Sequence, residues 1–394
     1  MPAQGGVVSS AQQQSPDLAV VGGGVIGLAV AWRAAQRGLR TVVLERGGIG
    51  SGASGVAAGM LAPSSEAAFG EQPLLALNLE SAGRWPAFAA ELAERSGADP
   101  GYRRCGTLLA ARDADAAVAL ERELAFRESL GLAVERLLPS RARDLEPALA
   151  PTVRAAAAAP DDHAVDPRRV LSALAAGLRA AGGELREGAE VAELETSGDR
   201  ATGVRLAGGE RLAAGAVVIA AGAWAGSVAG LPDGARLPVR PVKGQLLRLR
   251  DPAGPGLLER VLRTEDFYVV PRGDGGYVLG ATVEERGFDE AVTAGGLHDL
   301  LRDAVEVVPG ITELEFEGAR AGLRPGTPDN APAIGPAELD GLHWAAGHYR
   351  HGILLAPLTA ELVVDGVTGA PPRADAAPLS PGRFGAGART EVPA

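Results

Sequence analysis

The stretch Val20–Gly27, "VVGGGVIG", decides how this chain is read. It ends an apolar run from Asp17 to Val21 that reads as a buried strand. It also opens Val25–Gln36, whose apolar spacing is helical and which stops at Arg37-Gly38. Thr41–Leu44 is a second apolar strand, closed by Glu45, so these segments make one βαβ unit. At its first junction stands Gly22-x-Gly24-x-x-Gly27. Gly22 permits the tight turn, Gly24 lets the backbone approach a pyrophosphate, and Gly27 lets helix and strand pack closely. Glu45, at the end of the second strand, is placed to accept both hydroxyls of a ribose. The unit therefore reads as a dinucleotide site, with FAD and NAD both open. Two further segments suit a large flat ligand. "GIGSGASGVAAGML" (Gly48–Leu61) is a run of small residues that frees the backbone for close approach. "VVIAAGAWA" (Val217–Ala225) is an apolar strand that breaks at Gly222.

Composition narrows the function further. A chain of 394 residues with 46% hydrophobic content is long enough for roughly two to three domains with full cores. The net charge is −11 with no basic stripe, which argues against nucleic acid as a partner. Small anions need only one or two well-placed arginines. Cys105 is the single cysteine, which excludes an internal disulfide framework and a cysteine metal site and points to a reducing, cytoplasmic compartment. No uncharged apolar run reaches ~18 residues, so no membrane span is expected. Residues 1–16, "MPAQGGVVSSAQQQSP", lack the basic start and apolar middle of a secretory signal and read as a disordered leader. Residues 369–394 are rich in Pro, Ala and Gly and read as a disordered tail.

Along the chain, Pro73–Ser96 reads as a long amphipathic helix, Thr107–Ala111 as a strand, and Asp113–Ser129 as a helix with a polar face. Asp166-Pro167 is an N-cap followed by proline at the first helical position, opening a helix to about Ala181. Short strands around Gly208-Gly209 suggest a hairpin. From Val239 to Gly280 strand-like runs dominate, and Ile311–Arg324 is another, which points to a mixed or antiparallel sheet. Gly352–Val364 returns to an apolar helix. At its head, "GHYRHGILLAP" (Gly347–Pro357) sets His348, Arg350 and His351 together, and a helix N-terminus beside an arginine is suited to an anion.

Seven segments, in this order, carry a resemblance: "AVVGGGVIGLAVAW", "GASGVAAGMLAP", "DDHAVDPRRV", "PVKGQLLRL", "YVVPRGDGGYVLGAT", "AGLRPGTPDNAPAIG" and "GHYRHGILLAP". Over Asp17 to about Gly366 the chain resembles the FAD-dependent amino-acid oxidases of the D-amino-acid oxidase superfamily. It is most similar to the glycine oxidases of thiamine biosynthesis. The resemblance implies an α/β fold: a Rossmann-type FAD-binding domain (17–90, 150–230 and 325–368) interleaved with a substrate domain (91–149 and 231–324) built on a large mixed or antiparallel β-sheet. It implies non-covalent FAD held by Gly22, Gly24, Val25, Ile26, Gly27, Glu45, Arg46, Ala53, Ser54, Ala58, Gly59, Met60, Val191, Gly222, His348, Tyr349, Arg350, His351, Gly352 and Ile353. The last helix then points its N-terminus at the flavin's pyrimidine edge, where negative charge grows on reduction.

At the substrate end, the resemblance assigns Arg324 to the substrate carboxylate through two parallel hydrogen bonds. It adds the Tyr268 hydroxyl at the same carboxylate, Arg350 in contact with substrate, and Met60 and Val283 as walls of a small pocket. Family members often carry Met where this chain has Val283. His348 and His351 are expected at the surface or behind the site, with no metal, and Cys105 as an inert strand residue. No catalytic acid or base is needed when a neutral amine gives hydride to the flavin. The implied reaction oxidises glycine, with sarcosine and small D-amino acids, to the oxo acid, ammonia and hydrogen peroxide. The partners are then a small amino acid and dioxygen, in a homo-oligomer that can be a tetramer. The alternatives are a sarcosine oxidase or dehydrogenase and a D-amino-acid dehydrogenase. Against the first, monomeric sarcosine oxidases attach flavin to a late cysteine and carry Lys where this chain has Val278.

Overall fold

The structure, a computed structural model, describes residues 15–232, 235–371 and 373–384. Leu18–Val21 and Thr41–Glu45 form as read, with every residue buried, as expected of parallel strands covered on both faces. They sit inside a six-stranded sheet ordered Ala333–Pro336, Leu342–Ala346, Ala216–Ile219, Leu18–Val21, Thr41–Glu45, Glu184–Glu187. All neighbours run parallel except the first pair. The helices Val25–Gln36, Gln72–Ser96, Pro167–Ala180 and Gly352–Val367 pack on one face, with Trp32, Trp85, Leu92, Leu174 and Leu355 at the centre of that core. The small sheet of Val191–Ser197, Arg200–Leu206 and Arg211–Ala213 covers the other.

The second sheet has eight strands, ordered Glu315–Gly326, Arg240–Arg250, Gly276–Gly280, Tyr268–Pro271, Val261–Arg263, Thr107–Ala111, Ala155–Ala159, Glu135–Leu137. It is mixed: Val261–Arg263 runs parallel to Thr107–Ala111 and the other neighbours are antiparallel. The fold class is therefore α/β with a large mixed sheet, as expected. Arg240–Arg250 pairs with Glu315–Gly326 along its whole length, from Arg240 opposite Gly326 to Arg250 opposite Glu315. Helix Ala294–Val307, capped by the Thr293 side chain on the Gly296 N–H, backs this sheet through Leu300, Ala304 and Val307. The other face carries Leu246, Val270 and Val278 against Val56 and Ala58 of the small-residue run, so the two sheets meet there.

Three expectations change. Ala155–Ala159 lies in the segment assigned to the FAD domain but pairs with Thr107–Ala111 in the eight-stranded sheet. Five alanines carry no face preference, so only the pairing assigns them. The strand expected over Ile311–Arg324 is Glu315–Gly326, because Pro309–Glu313 first closes a 3-10 turn. The tail is not free over its described part. Ala374–Leu379 and Pro381–Phe384 form 3-10 turns, Arg373 pairs with Glu80 and Arg383 with Asp329, and Leu379 is fully buried in the helical core. Scattered apolar residues with two salt bridges leave no periodic pattern to read. The expectations for the leader and for the end of the tail fall on residues 1–14 and 385–394, outside the described residues.

Leu379→Ala removes a fully buried side chain and should cost about 2–4 kcal/mol of stability. The check is denaturant unfolding. An unchanged midpoint would mean that this segment does not dock in solution.

Candidate active site

Two glycines shape the turn after the first strand. Gly22 has φ +112°, and a Cβ there would lie 2.5 Å from the Ala220 carbonyl oxygen. A Cβ at Gly27 would lie 2.0 Å from the Gly22 carbonyl oxygen, so helix and turn meet without room for a side chain. The first helical N–H, on Val25, is capped by Ser54 Oγ at 3.0 Å, which brings the small-residue run against the turn. Glu45 is buried, and its two carboxylate oxygens accept the N–H groups of Gly23 (2.7 Å) and Gly47 (2.8 Å). The carboxylate is thus held rigidly at the strand end.

A cleft of about 580 Å3 starts at this turn and runs between the two sheets. Gly22, Gly24, Val25, Ile26, Glu45, Arg46, Ala53, Ser54, Ala58, Gly59, Met60, Val191, Gly222, His348, Tyr349, Arg350, Gly352 and Ile353 all line it, as do Arg324, Tyr268 and Val283. Gly27 does not line it; its place is the close packing beneath the turn. His351 does not line it either; it is the buried residue that precedes the last helix. Neither histidine is at the surface, contrary to one of the two expectations for them. His348 Nε2 lies 3.0 Å from Thr359 Oγ1 on the last helix, and burial pushes its pKa down to about 3, so the ring is neutral.

The eight-stranded sheet supplies the other wall. Arg324 lies opposite Val242 in the long strand pair, and its side chain lies flat over Gly244, two residues on and on the same face. A Cβ at Gly244 would come within 2.3 Å of Arg324 Nη1. The Tyr268 ring lies in the same way across Gly280, where a Cβ would sit 2.9 Å from the hydroxyl. Burial raises the Tyr268 pKa, against the lowering effect of the Arg324 charge, and keeps the hydroxyl protonated as a donor. Arg324 Nη1 donates to the carbonyls of Thr282 (3.1 Å) and Lys243 (3.4 Å) and meets no carboxylate among the described residues. Those carbonyls are fixed in turn. Lys243 Nζ pairs with Asp289 Oδ2 at 2.9 Å, and the Gln245 N–H donates to Thr282 Oγ1 at 2.9 Å.

Arg350 differs. Its Nη2 donates to Glu71 Oε2 at 2.7 Å, so its charge is already answered. Burial raises Glu71, but the nearby His351 ring, Arg350 and the Asn330 amide outweigh it and hold the carboxyl below its usual range. His351 Nε2 is 3.9 Å from Glu71 Oε2, beyond hydrogen-bond length, so its effect is electrostatic. Val283 is 67% exposed and forms the rim, while Met60 is half-buried beside Tyr268. Cys105 precedes the strand Thr107–Ala111 rather than lying in it, and burial pushes its thiol up.

Sequence reading missed Glu71, Gly244, Gly280 and Trp224. Trp224 lines the cleft and stacks under the Arg46 guanidinium at 3.8 Å. Its signal was its place just after the Gly222 break. Glu71 had none, since it meets Arg350 across 279 residues of chain. The residues present fit a dinucleotide. The glycine cradle would be filled by any Cβ, Glu45 stands beyond it, and the first turn of the helix at Gly352 opens on the cleft.

Comparison with known proteins agrees with this geometry. The sequence profile of the FAD dependent oxidoreductase family matches residues 17–366. The glycine oxidase of Geobacillus kaustophilus (strain HTA426) is 40% identical over 92% of this chain and 96% of its own. The bifunctional protein ThiO/ThiG of Synechocystis sp. is 37% identical over 90% of this chain, which spans 52% of that protein. A crystal structure of glycine oxidase from Geobacillus kaustophilus superposes with a TM-score of 0.86, at 39% identity, over 93% of this chain and 98% of that one.

Two outcomes follow. Gly244→Ala should displace Arg324 and weaken binding of a simple carboxylate about tenfold or more, read by titration with acetate. Unchanged affinity would remove the packing argument. A histidine buried neutral takes a proton only on unfolding, so stability present above pH ~6.5 is lost as pH falls toward 3, by up to roughly 1.4 kcal/mol per unit. Thermal melts of His348→Gln should fall less steeply between about pH 6.5 and 4 than those of the parent. Parallel profiles would contradict the neutral assignment.

Proposed function

The chain belongs to the family of FAD dependent oxidoreductases, and from that premise we propose that it oxidises glycine, with sarcosine and small D-amino acids, to the oxo acid, ammonia and hydrogen peroxide. We place this activity in the supply of glycine-derived material to thiamine thiazole synthesis, in the cytoplasm, by a homo-oligomer. The chain is an enzyme, an amino-acid oxidase that uses FAD, and among its described residues no helix is long and apolar enough to cross a membrane. The observation that carries the substrate assignment is Arg324: a guanidinium in the cleft wall, beside the Tyr268 hydroxyl, that donates to two neutral carbonyls and forms no ion pair among the described residues.

In this reading the six-stranded sheet holds the cofactor and the eight-stranded sheet holds the substrate. Gly22 and Gly24 let the backbone meet the pyrophosphate, and Glu45 accepts the ribose hydroxyls. The first turn of the helix at Gly352 opens on the cleft and would favour negative charge on a bound flavin. FAD, when bound, supplies hydride acceptance from the substrate Cα and reoxidation by dioxygen. Non-covalent binding is supported by Cys105, the sole cysteine, which does not line the cleft.

Arg324 and Tyr268 take the two oxygens of the substrate carboxylate and so fix Cα relative to the ring. Arg350 lines the cleft but is held in an ion pair by Glu71, which does not line it, so Arg350 is a secondary contact for substrate. Met60 and Val283 bound the side-chain space. Because Val283 sits exposed at the rim, that space opens outward and admits small substituents as well as hydrogen. The amine reacts neutral, and water hydrolyses the imine, so no side chain serves as acid or base.

Aerobic enzyme given glycine should form glyoxylate and peroxide in equal amounts. Glyoxylate without peroxide would favour a dehydrogenase, and no product would reject the substrate class. Arg324→Lys keeps the charge but loses the two-pronged contact, so kcat/KM should fall about ten- to a hundredfold with flavin content unchanged. Arg350→Lys, which keeps an ion pair with Glu71, should cost less than about fivefold. The reverse order would make Arg350 the principal anchor.

A further inference from the structure

Arg324 has a counterpart farther along the same strand. Side chains alternate along a strand, so Arg324, Gly322, Arg320 and Gly318 share one face of the eight-stranded sheet. Gly322 on that face touches Val56, so the face looks toward the small-residue run. Arg320 lies four residues, about 13 Å, from Arg324 and does not line the cleft. Arg248 is paired directly opposite Gly318, so it stands on the same face, diagonal to Arg320. Arg248 is also opposite Val278, which pairs with Val270, and Arg272 stands two residues beyond Val270, again on this face. Arg248 Nη2 donates to the Gly55 carbonyl (2.9 Å) and Arg272 Nη1 to the Val165 carbonyl (3.0 Å). Arg168 follows three residues after Val165, at the head of the helix Pro167–Ala180.

Four guanidinium groups thus converge behind the loop that lines the cofactor cleft. Their donors are not used up. Buried Arg248 Nε and Arg272 Nη2 have no hydrogen-bond partner among the described residues. Arg168 and Arg320 are exposed, and no ion pair is formed by any of the four among the described residues. The chain's net charge is −11, yet these four arginines lie together without an ion pair. Two carboxylates lie near: Asp166, which caps the Arg168 N–H at 2.9 Å, and Asp274; they offset part of this positive charge without forming an ion pair with any of the four among the described residues. The crowding is felt: burial, then Arg168 and Arg272, push Arg248 down to about 10.

The geometry points to a second anion site, apart from the active cleft, in which Arg168, Arg248, Arg272 and Arg320 bind a compact dianion of the phosphate class, either inorganic phosphate or a phosphomonoester. Two buried donors wait at its floor and two exposed, unpaired arginines stand at its mouth. Forked guanidiniums match the oxygens of phosphate. The site is linked to the cofactor cleft, because Arg248 holds backbone of the small-residue run that lines it and Arg272 holds backbone bonded to that run. Gly55 lies in the small-residue run, and the Val165 N–H donates to the Gly59 carbonyl at 2.9 Å. An anion that orders these arginines should therefore slow flavin loss, and by reciprocity the flavin should tighten the anion.

The test uses the flavin-loaded enzyme and the double variant Arg168→Gln/Arg320→Gln, which leaves the cleft and the buried pair intact. Inorganic phosphate and glycerol phosphate are titrated separately by calorimetry and by thermal melts, against chloride at matched ionic strength. Saturable heat and a rise in Tm of roughly 1–3 °C are expected for the parent. Affinity should be about tenfold weaker or more in the variant, with glycine turnover unchanged. Tighter binding of the ester would identify a phosphorylated metabolite, and equal or weaker binding the free ion. Absence of heat beyond the chloride control, or equal affinity in the variant, would overturn the site. A change in oligomeric mass of the variant without phosphate binding would instead assign the cluster to a contact with the acidic surface of a second copy. Each result stands apart from the glycine assignment, since turnover is read in the same samples.

Discussion

A partly buried cation without a counter-charge is a cost that folding tolerates only where something else requires it. Arg324 is such a cation, and much of the architecture serves to hold it. The eleven-residue strand pair sets its position along the sheet. Gly244 gives it a bed without a Cβ, and the Thr282 and Lys243 carbonyls take one nitrogen while leaving the charge unanswered. The ion pair of buried Lys243 with exposed Asp289 steadies one of those carbonyls. A carboxylate arriving at this wall gains what the folded chain withholds.

The opposite wall obeys a different constraint. At Gly22 and Gly27 backbone approaches backbone too closely for any side chain, which aims the turn and the following helix at the cleft. Parallel strands buried on both faces make that wall stiff. Where the sheets meet, the small-residue run with Val56 and Ala58 lies between them, and one cleft spans the glycine turn and Arg324, so a flat ligand can bridge them. Arg350 is already paired with Glu71, whereas Arg324 forms no ion pair among the described residues.

The parts legible in the sequence were local or strongly periodic. The βαβ unit, the glycine turn, Glu45, and the helices opened by Asp113 and Asp166 stand where spacing and capping chemistry put them, within a residue or two, and the last helix starts at Gly352 as read but runs three residues past Val364. Arg324, Tyr268, Met60 and Val283 came from resemblance, and the fold brings all four to the same cleft. What stayed hidden depended on distant pairing. Glu71 is paired with Arg350 only by the final packing of two helices. Gly244 and Gly280 look like ordinary strand glycines until a side chain is seen lying across them. Ala155–Ala159 has no pattern to assign it to a sheet, and the segment around Leu379 docks through one leucine and two ion pairs.

We propose that the charge of Arg324, rather than that of Arg350, receives the substrate carboxylate. This is tested most directly by titrating the flavin-loaded enzyme with glycolate, which keeps the carboxylate but lacks the amine, and following the visible flavin spectrum. Saturable perturbation is expected in the parent and in Arg350→Gln, with dissociation constants within about fivefold, and a loss of roughly tenfold or more in Arg324→Gln. Equal glycolate affinity in Arg324→Gln and the parent would contradict the account.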